Sequence, residues 1–310
     1  MISDIHGNLS ALNAVLNDAR DSGAEKFIFL GDYSLGLFEP NETLDALREI
    51  KDAVFISGNE DRVLVDDSSI HVDIPSTGQF HAKYWYRDYL TPDNIFFLKS
   101  LEKTIVLRQE RVPPVFIFHE PEIFFNGTAV SMINPHFYAL GRDSGKFNSY
   151  TFPDFYSTFL SSDHKLTEIL PMLEDGVYAF GHTHIQWHTR LGGKLLINAG
   201  SAGLPLDFCR KAAYTLLSFT DGEWIAQPRR VFYDVELTLD RFKSSYCMRS
   251  VPVWCGIIHM ELETAREQAT PFLQFTEAFA RQAGDLSRPF SKKVWEASYK
   301  SWVNSQEDIK

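Results

Sequence analysis

The chain has 310 residues, of which 44% are hydrophobic and 23% charged, so it can form one large globular domain, or one with an appendage, around a buried sheet. Its formal net charge of −11 argues against general binding to nucleic acid, but bound metal ions would still allow a phosphate substrate. No apolar run reaches membrane-spanning length and no secretion signal is visible, so we expect a cytoplasmic protein without membrane contact. Its three cysteines (Cys209, Cys247 and Cys255) lack zinc-finger spacing and predict no disulfide framework.

Strand and helix patterns alternate along the chain. Ser10 is the expected N-cap of a first helix that stops near Gly23, and Pro40 starts a second helix that runs to about Ile50. Strands are predicted at residues 26–30, 53–57, 104–107, 115–118, 177–180, 195–197, 213–219 and 224–231. Further helices are predicted within residues 62–101 and 163–173, then at residues 237–244, 259–282 and after residue 289. Strands separated by helices favour a parallel sheet, which gathers the carboxyl ends of its strands at one edge.

Metal-competent side chains stand at the ends of several of these strands. The first are Asp4 and His6, two residues apart, just after an apolar start. The later ones lie in Gly31-Asp32, in Gly58-Asn59-Glu60-Asp61, at His119 and in Gly181-His182-Thr183-His184. Carboxylate and imidazole suit a borderline divalent metal such as Mn, Fe or Zn, although any single one of these residues could equally be a structural polar group. The glycines within these segments fit positions where the backbone must approach the site closely.

In this order, the motifs D-x-H, G-D, G-N-x-D, strand-end His and G-H-T-H resemble the signature of the calcineurin-like metallophosphoesterases. The segment NAGSAGLP at residues 198–205 and the W-x-x-x-x-L-T-P stretch at residues 85–92 resemble the small bacterial, YfcE-like phosphodiesterase branch. The resemblance spans roughly residues 2–235. It implies a four-layer αββα sandwich with a dinuclear metal site at the sheet ends. We expect this domain to occupy residues 1–234, with a helical extension over residues 235–310.

The resemblance also implies which residues bind two divalent metals and what the metals do. Asp4, His6 and His184 would hold one metal, and Asn59, His119 and His182 the other, with Asp32 bridging them. A hydroxide shared by the two metals would attack the phosphate ester. The implied catalytic residues are Asp32, Asn59, His119 and, less directly, Glu60. Mn is the favoured metal, with Fe, Zn and Ni as the others considered.

Three features depart from the family pattern. Glu60 stands where the family has a histidine that contacts the phosphate, so Glu60 is expected to repel substrate, to point elsewhere, or to be a protonated acid with a raised pKa. His119 is followed by Glu120-Pro121 instead of glycine. The chain starts only three residues before the D-x-H segment, which suggests a clipped or misassigned start that could weaken the central strand.

Residues 120–160 are longer than the compact relatives need and rich in aromatic side chains. They are either a lid that stacks on a nucleobase or, as we favour, a self-packed cluster or a dimer contact. The aromatics are Phe124, Phe125, Phe137, Tyr138, Phe147, Tyr150, Phe152, Phe155, Tyr156 and Phe159. Four histidines have no motif support and are expected to be structural or exposed: His136, His164, His188 and His259.

The predicted function is a metal-dependent phosphoesterase that acts on phosphodiesters or small nucleotide-type phosphates, with a phosphodiesterase favoured. One alternative is a dinucleoside-polyphosphate hydrolase, which the aromatic segment would favour if it stacked on bases. Another is a metal-binding regulatory protein whose turnover is weak because Glu60 replaces the family histidine. The expected partner is a small phosphate ester or nucleotide, and a homo-oligomer is left open.

Overall fold

The computed structural model describes residues 1–66, 78–148 and 151–307. Its strands are β1 Phe27–Phe29, β2 Ala53–Phe55, β3 Thr104–Gln109, β4 Val112–Phe118, β5 Gly176–Phe180, β6 Gln186–Leu191, β7 Lys194–Ala199, β8 Ala212–Thr220 and β9 Glu223–Val231. Its α-helices are α1 Leu9–Asp21, α2 Pro40–Arg48, α3 Asn59–Val65, α4 His81–Tyr89, α5 Pro92–Lys99, α6 Glu122–Phe125, α7 Ala129–Met132, α8 Pro135–Asp143, α9 Phe152–Ser161, α10 His164–Ile169, α11 Val235–Ser244, α12 Tyr246–Ser250, α13 Pro252–Thr264, α14 Ala269–Gln282 and α15 Lys292–Glu307.

Two sheets form the centre of the fold. In the first, β1 and β2 pair in parallel, and Ile2 bridges to Phe29 on the other side of β1. Met1 then links this side to the antiparallel pair β8–β9, because Thr215 donates its N–H to the Met1 carbonyl at 3.0 Å and accepts from the Met1 amine at 2.9 Å. The second sheet has the order β3-β4-β5-β7-β6, with parallel pairs β4–β5 and β5–β7 at its centre.

The alternation of side chains along the strands explains the four layers. In β4, Val115 and Ile117 point toward the first sheet and pack with Leu30 and Ile56 in a core between the two sheets. Their neighbour Phe116 points outward, into a second core that α6–α10 cover. Helices α1, α2, α11 and α13 cover the outer face of the first sheet. The expected αββα sandwich with a helical C-terminal extension is therefore confirmed.

Most expected elements are present, with shifted ends. Helix α1 begins two residues earlier than predicted, because Asn8, not Ser10, caps it by accepting the Ala11 N–H at 3.1 Å. Gly23 lies just beyond its end with φ +81°, as expected. Strand β6 is absent from the prediction. It pairs antiparallel with β7 at the edge of the sheet. Its sequence QWHTRL is mostly polar and lacks the alternation of apolar residues that predicts a strand.

The expected helix over residues 259–282 is wrong, since the chain breaks there into α13 and α14. Ala265 takes a left-handed φ of +50° directly after α13. The buried Glu261 then accepts the N–H groups of Gln268 and Ala269, at 2.8 and 3.0 Å, where α14 begins. A carboxylate at these unpaired N–H groups stabilises the start of the new helix.

The aromatic segment packs on the outer face of the second sheet and does not form a separate cluster of its own. It supplies most of the helical layer on the second sheet, where Phe125, Tyr138, Phe147, Phe152 and Tyr156 are buried. Tyr150 and the part of the predicted helical region at residues 67–77 lie outside the described residues. Within the described ranges, no helix is long and apolar enough to cross a membrane.

Candidate metal centre

The strand ends bring the predicted site residues together. Asp4 follows the Ile2 bridge, Asp32 follows β1, and Asn59 starts α3 after β2. On the second sheet, His119 directly follows β4, and His182 and His184 follow β5. Because the central strands are parallel, these ends meet at the carboxyl edge of the two sheets, where open α/β sheets bind their ligands.

Asp4, His6 and His184 form the first of two ligand groups. Asp4 Oδ1 lies 3.2 Å from His184 Nε2 and 3.9 Å from His6 Nε2. The two Nε2 atoms lie 3.1 Å from each other. Two imidazole nitrogens this close, both facing a carboxylate oxygen, form a donor set suited to a divalent cation.

Asp32, His119 and His182 form the second group. His119 Nε2 lies 3.0 Å from Asp32 Oδ2 and 3.9 Å from Asp4 Oδ1, so the two groups adjoin. Asn59 joins this group through its Oδ1, 2.8 Å from His182 Nδ1. The geometry therefore brings all seven predicted ligands together in the expected grouping, and their binding of metal stays a prediction.

The unpaired atoms of the site fit a metal. Asp4 Oδ1 and His119 Nε2 are fully buried and have no hydrogen-bond partner. The far nitrogens of three rings are fixed, since the Nδ1 atoms of His6, His119 and His184 each lie 2.6 Å from a backbone carbonyl. A proton held on Nδ1 leaves Nε2 as a lone-pair donor, which is the arrangement that metal-binding histidines use.

The electrostatics of the site call for positive charge. Burial works to raise the pKa of Asp4, but the His184 and His119 rings hold it well below its usual range. Burial works to lower the pKa of His119, yet the Asp32 carboxylate raises it to about 10. His182 differs, because burial and then the His119 charge lower its pKa and favour the neutral ring that binds metal. Divalent cations at these ligand atoms would compensate the buried carboxylates.

The backbone at the site is held in an uncommon conformation. Five of the seven predicted ligands have left-handed φ angles between +52° and +69°, although none of them is glycine. They are Asp4, His6, Asp32, His182 and His184. Such residues cost about 1–3 kcal/mol each and persist only where the surrounding structure fixes them. The surrounding structure therefore positions these side chains at the expense of backbone strain.

Three glycines allow the close approach that the sequence predicts. A Cβ on Gly58 would lie 2.0 Å from Asp32 Oδ1, and one on Gly31 would lie 2.4 Å from the Gly58 nitrogen. A Cβ on Gly181 would lie 1.9 Å from Ser3 Oγ. No side chain can occupy these positions without displacing the ligand loops.

Asp61 is a supporting residue that sequence reasoning quoted but did not assign. Its buried carboxylate accepts the N–H groups of Asp32 at 2.7 Å, Gly58 at 2.9 Å and Tyr33 at 3.0 Å. It thereby ties the loop after β1 to the loop after β2. Burial, followed by the nearby Asp32 charge, raises the pKa of Asp61 to about 7.

The NAGSAGLP segment supports the other ligand loops. The Asn198 amide donates to the Gly181 carbonyl and to Thr183 Oγ1, both at 2.8 Å. Ser201 donates its hydroxyl to the Asp4 carbonyl at 2.6 Å. The motif that pointed to the family therefore holds two ligand loops in place, a role that only long-range contacts reveal.

Glu60 does not point away from the site. Its Oε2 lies 3.3 Å from His6 Nδ1, and its N–H donates to Asp32 Oδ1 at 2.9 Å. The expectation of an outward-facing side chain is wrong, because residue 60 lies in the first turn of α3, directly beside the Asp32 loop. Glu120, the second departure from the family pattern, pairs with Arg62.

A cavity of about 140 Å³ lies over the first ligand group. One side of it carries His6, His182 and His184, and the other side belongs to the C-terminal extension. Trp254, Ile258 and Glu261 line that second side, at the i, i+4, i+7 spacing of one face of α13. The sequence had not connected the extension with the site. A larger cavity, of about 650 Å³, lies beside Met1 and β8, away from all predicted ligands.

The comparisons with known proteins agree with this fold. Residues 1–128 match the family model of the calcineurin-like phosphoesterase superfamily domain. An uncharacterized protein of Methanocaldococcus jannaschii is 27% identical over 271 residues, which cover 83% of this chain and 94% of that protein. The family model thus matches the N-terminal part of the chain, as the ordered motifs predicted.

Two solved structures share the fold across most of the chain. A metallophosphoesterase from Sphaerobacter thermophilus has a TM-score of 0.56 and 21% identity, covering 85% of this chain and 97% of its own. A hypothetical protein from Pyrococcus horikoshii has a TM-score of 0.57 and 16% identity, covering 86% of this chain and 98% of its own. At these identities the likeness concerns the fold, and the narrower placement in the YfcE-like branch stays a prediction.

The four histidines without motif support belong to neither ligand group.

Proposed function

We propose that this protein is a metal-dependent phosphoesterase, and specifically a phosphodiesterase that uses two divalent metals, with Mn favoured. The observation that carries the proposal is the adjacency of the two ligand groups, whose buried Asp4 Oδ1 and His119 Nε2 lie 3.9 Å apart without hydrogen-bond partners. Metals held there would supply an activated water and positive charge for the phosphoryl oxygens.

The residues of the chain have separable roles in this proposal. Asp4, His6 and His184 hold one cation, and Asn59, His119 and His182 hold the other. Asp32 lies beside His119, and its second oxygen accepts the Glu60 N–H, so its carboxylate is fixed in a position suited to a bridge. Because these ligands are buried, the cations that they hold would act more strongly on a developing negative charge.

The charge around the cavity favours diesters over monoesters. Glu60 and Glu267 line it, and neither lysine nor arginine is among its lining residues. A diester carries one negative charge at neutral pH, whereas a monoester carries nearly two and is repelled more strongly. The alternative of a dinucleoside-polyphosphate hydrolase loses its main support, because the aromatic segment is largely buried in the core on the outer face of the second sheet. A cytoplasmic location and a homo-oligomer stay predictions.

The test is metal analysis combined with a substrate screen on the purified, metal-reconstituted protein. We expect bis-aryl phosphate to be hydrolysed with a higher kcat/KM than an alkyl phosphate monoester, because an aryl oxide leaves without full protonation. Cyclic nucleotides and dinucleoside polyphosphates complete the screen. Equal kcat/KM values for diester and monoester would contradict the diester assignment. Metal binding without turnover of any ester would favour the metal-binding regulatory protein instead.

A further inference from the structure

Glu60 is buried at its tip without a hydrogen-bond partner. Its Oε2 lies 3.3 Å from His6 Nδ1, but that nitrogen is already engaged at 2.6 Å with the Leu35 carbonyl, so Glu60 Oε2 lies beside this bond and takes no part in it. Among the ion pairs of the described residues, none joins Glu60 to a lysine or an arginine. A buried carboxylate oxygen without a donor or a cation is costly.

The backbone of Glu60 is held by a predicted ligand of the metal centre. Its N–H donates to Asp32 Oδ1 at 2.9 Å, and it follows the predicted ligand Asn59 in the first turn of α3. His6, Asp32 and Glu60 each offer a ligand atom within 4.8 Å of the others. Glu60 Oε2 faces the Nδ1 side of His6, so a cation held on His6 Nε2 would lie across the ring from this carboxylate and would partly compensate its charge.

Glu60 also makes the two ligand groups unequal. The group of Asp4, His6 and His184 gains a third neighbouring carboxylate in addition to Asp4 and Asp32. The other group pairs Asp32 with the neutral amide of Asn59 and with two imidazoles. The Nδ1 atoms of His119 and His184 contact backbone carbonyls, whereas His6 Nδ1 has a carboxylate beside it as well. Anionic groups beside a ligand ring raise its basicity and the affinity of the site for metal.

We propose that Glu60 is a third carboxylate of the metal centre and makes the site of Asp4, His6 and His184 the tighter of the two, so that this site fills first. This inference rests on the proposed metal centre. It gives the departure from the family pattern a role in holding metal.

The experiment is a calorimetric Mn²⁺ titration of the chelator-treated protein. We expect two binding steps in wild type, and in Glu60→Gln a tighter step weakened by about 10–100-fold with the weaker step unchanged. Glu60→Asp, which keeps the charge on a shorter side chain, should lose less. Glu174→Gln is the control, since Glu174 is paired with Arg108 at the opposite end of β5 from His182, and both of its steps should equal those of wild type.

A double-mutant cycle assigns the effect to one site. With His184→Ala removing the first site, Glu60→Gln should change the remaining Mn²⁺ affinity by less than about twofold, whereas with His182→Ala it should keep its full effect. Unchanged affinities in folded Glu60→Gln protein, with two steps in wild type, would overturn this inference and leave the proposed function intact. Absence of Mn²⁺ binding in wild type would overturn both.

Discussion

At the scale of single residues, the centre depends on carboxylates that would never touch substrate. Asp61 accepts three backbone N–H groups and so fixes Asp32 relative to Gly58. Glu261 fixes the start of α14 in the same way and lines the cavity as well. Neither role is readable from local sequence, because each depends on the N–H groups of a distant or irregular segment.

Replacing Asp61 by Asn should damage the metal centre without removing a ligand. The amide keeps one acceptor oxygen but turns an NH₂ group toward a backbone N–H, which costs about 1–3 kcal/mol for the group left unpaired. We expect a lower unfolding midpoint and weaker Mn²⁺ binding, measured by thermal melts and calorimetry. Asp93→Asn, at an exposed position of α5, should change neither. Wild-type metal affinity in Asp61→Asn would show that Asp61 has no part in positioning Asp32.

Glu261 should give the protein a pH-dependent stability. Burial, and then the nearby Glu267, raise the pKa of Glu261 to about 8, from an ordinary value of 4.5. Between those pH values the folded state keeps a proton that the unfolded state has lost, so this group makes stability fall as pH rises from about 5 to 8. Each pKa unit corresponds to about 1.4 kcal/mol.

The test is Glu261→Gln, which keeps an acceptor oxygen for α14 but does not titrate. In chelator-treated protein, the unfolding free energy of the variant should rise relative to that of wild type as pH increases from 5 to 8. The expected difference is on the order of a few kcal/mol. Denaturant unfolding at several pH values measures this difference. Curves that stay parallel over the whole range would mean that Glu261 is ionised in the folded protein.

At the scale of elements, the order of the ligands was predictable and their support was not. Ligands such as Asp32 and His119 directly follow strands, so a strand pattern and a polar residue were enough to find them. The edge strand β6 was missed, because its mostly polar sequence resembles that of a loop. The break at Ala265 was missed because Glu261, earlier in the chain, stabilises the new helix start.

Asn198 links strand β7 to the G-H-T-H loop, and its loss should act on metal binding. Asn198→Ala removes both 2.8 Å hydrogen bonds that hold Gly181 and Thr183. We expect Mn²⁺ affinity to fall by about 10–100-fold, as for other residues that support metal ligands. Asn94→Ala is a matched control, because Asn94 is equally buried and bonded, but to Asn41 and Asp45, away from the site. A similar loss of affinity in both variants would indicate general destabilisation instead.

At the scale of the whole molecule, the C-terminal extension is joined to the rest by a shared core. Phe242, Val251, Cys255, Ile258 and Leu262 are buried in the same cluster as the outer face of the first sheet. The predicted boundary between residues 234 and 235 therefore divides elements that pack together. The sequence could locate these helices by periodicity but could not say which surface they cover, since their apolar faces fit a dimer contact equally well.

A chain that ends at residue 234 should not fold normally. Each fully buried apolar side chain contributes about 1.5–3 kcal/mol, so losing five of them removes an amount comparable to the 5–15 kcal/mol that stabilises a typical domain. We expect aggregation in size-exclusion chromatography and no cooperative thermal transition. A monomeric, cooperatively melting chain of residues 1–234 would show that the extension is dispensable for the fold.

The central claim, that two adjoining ligand groups share Asp32 and drive phosphate-ester hydrolysis, is tested most directly in Asp32→Asn. Mn²⁺ content per chain and the rate of bis-aryl phosphate hydrolysis would be measured on the same reconstituted samples of variant and wild type. We predict about two Mn²⁺ per wild-type chain, fewer in the variant, and a rate that falls by orders of magnitude, because the bridge loses a charge that both ions share. Near-normal turnover in fully metallated Asp32→Asn, or full wild-type turnover in excess chelator, would contradict the claim.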